Sequence, residues 1–148
     1  MTKTLVLGLG NTLLKDDGLG VKVIEQLQVK AHQAEIRNGA TLGLSLFEIL
    51  KGAEKAIVVD AVDMGRTPGT VIRFTAVELL NLKVGQSFSL HEIGLLEVLK
   101  IGQSLNEEFN NVIIIGVQPK DLSPGEGLTP EVEGRIPEIV EMIEKEVV

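Results

Sequence analysis

The stretch Ala56-Ile57-Val58-Val59-Asp60 indicates how this chain of 148 residues folds. Its four apolar residues are uninterrupted, which is typical of a strand that is covered on both faces of a sheet. Similar apolar runs recur along the chain. They alternate with segments whose apolar residues have helical spacing, such as Leu19, Val23 and Leu27. This alternation predicts an α/β fold with a mostly parallel sheet.

The predicted elements are five strands and four helices. We expect the strands over 4–7, 34–37, 56–59, 70–74 and 112–117, and the helices over 18–28, 42–51, 91–101 and 130–145. A turn at 67–69 follows the third strand closely, so a hairpin-like return predicts that the fourth strand is an antiparallel edge strand. Pro137 predicts either a kink or a late start of the last helix, because proline removes a helical hydrogen bond. The predicted fold is therefore a three-layer α/β domain spanning 1–148. Its five-stranded twisted sheet is mostly parallel, with helices on both faces and one antiparallel edge strand.

The composition excludes several classes of function. The chain has no cysteine, which excludes disulfides, thiolate metal sites and a cysteine nucleophile. Its net charge of −7 opposes nucleic-acid binding, and four phenylalanines without Trp or Tyr offer little for base stacking. No apolar stretch approaches the roughly 20 residues of a membrane span. The apolar patch near the N-terminus is interrupted by glycines and has no signal-peptide cleavage site. We therefore expect a cytoplasmic protein, and nothing in the sequence demands more than a monomer.

Polar side chains gather directly after the predicted strands. In an open α/β sheet, ligands bind beyond the carboxyl ends of the strands. The polar residues at these positions are Asn11, Asp16, Asp17, Asn38, Thr41, Asp60, Asp63 and Gln118. We expect them to converge on one rim of the sheet, and we treat that rim as the candidate site.

The carboxylates at this rim also have structural interpretations. Asp16 or Asp17 could cap the first helix, but two adjacent carboxylates cannot both occupy one cap, so the other would face the crevice. Asp60 could simply be solvated at the end of its strand, although the apolar run before it places the carboxylate beside a partly desolvated crevice. Gly8 and Gly10 lack the third glycine of a dinucleotide fingerprint, and no P-loop lysine follows. We expect them to allow a sharp turn and not to bind a nucleotide cofactor.

His91 is the remaining candidate for chemistry. Ser89 and Glu92 match the capping-box pattern, which places His91 in the first turn of the third predicted helix. Its spacing to Leu95 puts it on the apolar side, where a single histidine is more often a core residue than a ligand. The helix N-terminus, however, favours the neutral ring that binds metals. Two carboxylates and one imidazole would suit a borderline divalent metal that keeps open positions.

Several sequence blocks follow one another along the chain: 8–20 (GLGNTLLKDDGLG), 59–62 (VDAV), 89–95 (SLHEIGL), 115–119 (IGVQP) and 128–130 (LTP). Their order and approximate spacing resemble those of the nickel–iron hydrogenase maturation endopeptidases. The resemblance covers essentially the whole chain. It implies an enzyme that removes a short C-terminal extension from the precursor of the hydrogenase large subunit after nickel has been inserted.

The resemblance also implies roles for individual residues. It assigns the metal-contacting acid to Asp17, the strand-end aspartate to Asp60 and the histidine to His91, which are also the expected catalytic residues. The nickel is expected to belong to the substrate. The residues expected to position that substrate are Asn11, Asp16, Asn38, Thr41 and Gln118. Asn38 departs from the family pattern, which often has an acidic residue there. Because an amide keeps hydrogen bonding without the charge, a positioning role fits Asn38 better than a catalytic-base role.

The chemistry and the class of function have open alternatives at this point. Water could be activated by a carboxylate base or by metal polarisation. A non-catalytic chaperone that binds nickel or the large subunit could use the same residues. Peptidyl-tRNA hydrolases also begin with a strand and Gly-Leu-Gly-Asn, but the Pro-Gly and the early histidine expected in that family do not follow here. A spore-type endopeptidase of similar fold is a looser resemblance. Substrate selectivity is expected in the loops 75–88 and 120–128.

Overall fold

The computed structural model describes residues 4–30, 34–40, 42–82 and 94–147. Within these ranges there are five strands and six α-helices. The strands are β1 (Thr4–Gly8), β2 (Ala34–Asn38), β3 (Lys55–Ala61), β4 (Val71–Thr75) and β5 (Val112–Val117). The helices are α1 (Leu19–Lys30), α2 (Ser45–Gly52), α3 (Ala76–Leu80), α4 (Leu95–Ser104), α5 (Pro130–Glu133) and α6 (Ile136–Val147). A short 3-10 turn, Lys15–Gly18, leads into α1.

The strands form one sheet in the order β2-β1-β3-β5-β4. The first four are parallel, and β4 runs antiparallel to β5 at the edge, so the predicted fold class and the antiparallel edge strand are confirmed. The hairpin that led to this prediction is wrong, because β4 pairs with β5 and not with β3. The edge of β3 that faces away from β1 pairs with β5, a strand from much later in the chain.

Helices cover both faces of this sheet. Ile57 and Val59 of β3 lie in a cluster with α1, α5 and α6, whereas Ala56 and Val58 lie in a second cluster with α2, α3 and α4. All four of these side chains are buried. This arrangement confirms the three layers predicted from the apolar run at 56–59.

The helix boundaries differ from the predictions where capping or backbone conformation decides them. Gly43 has a φ of 54°, outside the helical region, and α2 therefore begins at Ser45 instead of 42. Helix α4 begins at Leu95, and Glu97 accepts a hydrogen bond from the N–H of Gly94 at 2.9 Å. Helix α4 covers the later part of the helix predicted over 91–101, and residues 91–93 lie outside the described ranges. The capping residues predicted at 89 and 92 lie outside the described residues.

The last predicted helix is divided in two, as Pro137 indicated. It is broken between α5 and α6, and Pro137 is the second residue of α6, where it does not interrupt helical hydrogen bonds. Helix α3 was not predicted; it begins with a capping box between Thr75 and Glu78. None of the helices in the described parts of the chain is long and apolar enough to cross a membrane.

Candidate functional site

The candidate site lies at the carboxyl end of β3, between the loops that follow β1 and β5. These three strands are parallel neighbours in the sheet, so their carboxyl ends meet at one edge. The last residues of β3 include Asp60, and the loop after β1 contains Asp17. The structure therefore brings together two of the three residues that were predicted to bind metal.

Asp60 is a partly buried carboxylate next to Asp17. Burial raises the pKa of Asp60 well above its ordinary value of 3.8, and the negative charge of Asp17 raises it further. A backbone hydrogen bond at Ala61 acts in the opposite direction but does not outweigh these two causes. A carboxyl group in this environment holds a proton more tightly than usual, or favours a cation that relieves the repulsion.

The position of Asp17 is defined by the glycine-containing turn after β1. Its Oδ2 accepts a hydrogen bond from the backbone N–H of Asn11 at 2.9 Å. Gly10 has a φ of 118°, and a Cβ there would overlap the backbone oxygen of Asp17, so this turn needs glycine. The Asn11 side chain accepts from the N–H of Leu13 at 2.9 Å, which closes an Asx turn in the same loop.

Asp16 has a different position from the one predicted. Its carboxylate is fully buried and accepts from the backbone N–H groups of Lys120, Asp121 and Thr129, at 2.8, 3.0 and 2.7 Å. The Thr129 hydroxyl donates to the same carboxylate, at 2.9 Å from Oδ2. Asp16 therefore lies inside the protein against the loop that follows β5. It contacts protein donors there instead of facing a substrate at the rim.

Gln118 is also turned into the protein. Its Oε1 accepts from the N–H groups of Met64 and Arg66, at 2.6 and 3.2 Å. Its Nε2 donates to Asp63 Oδ1 at 3.2 Å and to the backbone oxygen of Pro119 at 3.3 Å. An amide has two acceptor positions and two donor hydrogens, so these four contacts use its full capacity. Gln118 shapes the loop after β3 and has no hydrogen-bonding capacity left for the predicted contact with substrate.

Of the other predicted residues, the structure describes Asn38 and Asp63 but not Thr41 and His91. Asn38 is exposed at the end of β2, where its Oδ1 accepts from the N–H of Ala40 at 2.9 Å. Asp63 accepts from the N–H of Gly65 and from Gln118, both at 3.2 Å, so its carboxylate closes the turn after β3. Thr41 and His91 lie outside the described residues, and their predicted roles stay predictions.

Two of the three predicted metal ligands, Asp17 and Asp60, lie in the described part of the chain. Across residues 4–30, 34–40, 42–82 and 94–147 there is no group of three or more His, Asp or Glu side chains that could hold a metal ion. The carboxylate oxygens of Asp17 and Asp60 are donors of a kind that divalent cations accept. The predicted third ligand, His91, belongs to the segment that is not described.

Sequence reasoning missed the joining of the two loops beside this pair. Lys15 donates from its backbone N–H to the oxygen of Gly125 at 3.0 Å, and its ammonium group pairs with Asp121 at 3.1 Å. These partners are about a hundred residues apart in the chain, and no local pattern predicts such a pairing. The nearest indication was the block at 128–130, which contains one of the residues that contact Asp16.

Comparison with known proteins supports the architecture and the family. The family model for hydrogenase maturation proteases of the HycI type matches residues 21–146. The hydrogenase expression/formation protein HupD of Thiocapsa roseopersicina is 37% identical over 142 residues, which are 93% of this chain and 64% of that protein. The hydrogenase 2 maturation protease of Escherichia coli K12 is 33% identical over 145 residues, 95% of this chain and 88% of its own length.

A solved structure has the same fold along most of the chain. The hydrogenase maturating endopeptidase HybD from Escherichia coli superposes with a TM-score of 0.77 at 30% sequence identity. The match covers 96% of this chain and 90% of that one. The chain thus spans nearly the whole of this structure but less than two thirds of the Thiocapsa protein.

Proposed function

Because this chain belongs to the hydrogenase maturation protease family, we propose that it is an endopeptidase that removes the C-terminal extension of a nickel–iron hydrogenase large-subunit precursor. The observation that carries the proposal is the pair formed by Asp17 and Asp60 at the carboxyl end of β3. The fold leaves this pair at the edge of the sheet where α/β proteins bind their ligands.

Two neighbouring carboxylates supply a way to recognise a nickel-loaded precursor. Burial raises the pKa of Asp60 most and the charge of Asp17 raises it further, which means that the two carboxylates repel each other when both are ionised. A divalent cation carried by the substrate would relieve this repulsion, whereas a nickel-free precursor would not. We propose that Asp17, Asp60 and His91 bind the nickel that the precursor holds, and that this contact places the scissile bond beside the carboxylates.

Hydrolysis then requires one proton acceptor and one position for water. A carboxylate of the pair accepts a proton from a water molecule whose oxygen bonds to the carbonyl carbon of the scissile peptide. The proton passes to the departing nitrogen as the C–N bond breaks, which leaves a new carboxylate on the large subunit and a free amine on the extension.

The experiment is mass spectrometry of the large-subunit precursor after incubation with this protein. We expect loss of a C-terminal peptide from nickel-loaded precursor and no change in nickel-free precursor. Replacing Asp17, Asp60 or His91 by Ala should reduce cleavage by at least about 100-fold. Glu54→Ala is the matched control, since it removes an exposed carboxylate just before β3, at the opposite end of that strand from Asp60.

Other outcomes identify other functions. Nickel-dependent binding of the precursor without cleavage would show that this protein is a chaperone and not a peptidase. Full cleavage by all three variants would refute the assigned site, provided that circular dichroism shows each variant to be folded.

A further inference from the structure

The loops after β1 and β5 are hydrogen-bonded to each other along their backbones. The N–H of Gly125 donates to the oxygen of Leu13 at 2.8 Å, and the N–H of Lys15 donates back to the oxygen of Gly125 at 3.0 Å. The N–H of Asp16 donates to the oxygen of Asp121 at 3.0 Å. We call 11–18 and 120–129 together the joined loops. They connect the two strands that flank β3, so they border the end of the strand that carries Asp60.

The buried carboxylate of Asp16 lies between the joined loops and accepts hydrogen bonds from the loop after β5. It is reached by three backbone N–H groups and one hydroxyl, all from the loop after β5. The Thr129 hydroxyl contacts Asp16 although it immediately precedes α5, where a threonine side chain commonly caps the helix. A buried carboxylate is costly unless its oxygens are hydrogen-bonded. Here Oδ2 accepts from two backbone N–H groups and Oδ1 from one, and the Thr129 hydroxyl lies within hydrogen-bond distance of both oxygens.

The hydrogen bonds of Asp16 also restrain Asp17, the next residue in the chain. Asp16 is held at its backbone N–H and at both carboxylate oxygens, and Asp17 is the next residue in the same 3-10 turn. The turn begins at Lys15, whose φ of 45° is uncommon for a residue other than glycine. Such a conformation persists where surrounding contacts impose it, and the pairing of Lys15 with Gly125 and Asp121 supplies those contacts.

We propose that Asp16 is a positioning residue: by joining the two loops, its buried carboxylate holds Asp17 in the direction that faces Asp60. The relevance of this role to catalysis rests on the proposed function, but the positioning itself does not. The structure supplies a reporter of the Asp17 side chain that is independent of activity, namely the backbone N–H of Asn11, which donates to Asp17 Oδ2.

The test compares backbone amide exchange, measured by NMR, in the full chain and three variants. Asp16→Asn keeps the size of the side chain but replaces one acceptor oxygen by an N–H₂ group that meets N–H donors. Thr129→Val removes only the hydroxyl contact. Ser123→Ala is the matched control, because its hydroxyl donates to Asp121 Oδ1 in the same loop at 2.6 Å without a hydrogen bond to Asp16.

We expect the backbone N–H of Asn11 to exchange about tenfold faster in Asp16→Asn than in the wild type. The increase in its exchange rate should be smaller in Thr129→Val. The amide of Leu9, which donates to the oxygen of Val59 at 3.0 Å, should keep its rate in both variants. Ser123→Ala should leave both amides unchanged. Cleavage of nickel-loaded precursor should fall most in the variant whose Asn11 backbone N–H exchanges fastest. We therefore expect a larger loss of cleavage in Asp16→Asn than in Thr129→Val.

Two results would overturn the proposal. One is an unchanged Asn11 amide in a folded Asp16→Asn variant, or in Thr129→Val if Asp16→Asn does not fold. The other is equal acceleration at Asn11 and Leu9, which reports a general loss of stability and not a displaced side chain. A wild-type protein that does not cleave the precursor would refute the proposed function, while the exchange data still decide the role of Asp16.

Discussion

The three aspartates at the candidate site have the same side chain but different surroundings. Asp16 is buried among donors from another loop, and Asp17 accepts from the turn that precedes it. Asp60 lies at the end of a central strand, where burial and the charge of Asp17 raise its pKa. Identical carboxyl groups thus differ in burial and in hydrogen-bond partners according to their neighbours, and Asp16 and Asp17 differ although they are adjacent in the chain.

Replacing Asp60 by Asn tests the raised pKa directly. A pKa that is higher in the folded than in the unfolded protein stabilises the fold at low pH, and this contribution is lost as pH rises through the folded pKa. Asn is neutral at every pH. We therefore expect Asp60→Asn to be more stable than the wild type at pH 7 and to lose this advantage below about pH 4.

The measurement is denaturant unfolding of both proteins between pH 3 and pH 8, followed by circular dichroism. The same variant should be inactive on the precursor, which would show that Asp60 is kept at a cost in stability. Equal stabilities at all pH values would contradict the burial of a charged group at this position.

Among the elements, the approach of α1 to the sheet depends on small residues. A Cβ on Gly20 would overlap the backbone oxygens of Leu9 and Val59, and one on Gly8 would overlap the backbone oxygen of Gly20. The start of α1 therefore packs directly on the backbones of β1 and β3. This close contact brings the turn that carries Asp17 to the end of the strand that carries Asp60.

Gly20→Ala should move the start of α1 away from the sheet. Because the atoms that a Cβ would meet belong to the backbone, they cannot give way by changing rotamer, and we expect a loss of about 2–4 kcal/mol in the free energy of unfolding. Gly52→Ala is the matched control. It is also a helical glycine, but nothing lies within 4 Å of a Cβ built there.

The control should raise stability by roughly 0.5–1 kcal/mol, because alanine loses less backbone entropy than glycine on folding. Thermal and denaturant unfolding of both variants check the pair. A similar effect of the two substitutions would show that packing at Gly20 does not determine the position of α1.

At the scale of the whole molecule, Glu146 connects the end of α6 to β3 and β4, the two strands on either side of β5. Its carboxylate accepts a hydrogen bond from Arg73 of β4 and pairs with Lys55 of β3 at 3.3 Å. The same ammonium group of Lys55 donates to the backbone oxygen of Glu146 at 2.6 Å. The hydrogen bond from Arg73 is the main cause that lowers the pKa of Glu146 below its ordinary value of 4.5.

Glu146→Gln should lower stability at neutral pH and matter less in acid. A lowered folded pKa contributes stability above the unfolded pKa, and that contribution is lost as pH falls through the folded pKa. We expect a loss of about 0.5–1.5 kcal/mol at pH 7, since both partners are partly exposed to solvent, and a shrinking difference from the wild type below about pH 4.

Unfolding by urea at pH 7 and pH 3 measures this difference. Glu141→Gln on the same helix is the control, because its pair with Lys145 is mostly exposed and should contribute less than about 0.5 kcal/mol. A Glu146 effect that is the same at both pH values would mean that packing, and not charge, accounts for it.

The sequence by itself determined the periodic features of this protein. The apolar run at 56–59 predicted a strand covered on both faces, and helical spacing predicted α1. Pro137 predicted either a kink or a late start of the last helix, and the structure divides that helix just before Pro137. The convergence of Asp17 and Asp60 also followed from the sequence, because the carboxyl ends of parallel strands share one edge. These features depend on residues that are close in the chain or on a general property of parallel sheets.

Only the tertiary structure decided which distant groups meet. No local pattern shows three of these features. They are the insertion of β5 between β3 and β4, the four contacts of Gln118, and the hydrogen bonds between Asp16 and the loop after β5. Asp16 and Thr129 are 113 positions apart. Spacing along the chain reports the local conformation and the buried face of an element. The partner of a buried polar group depends on which loops the assembled sheet brings together.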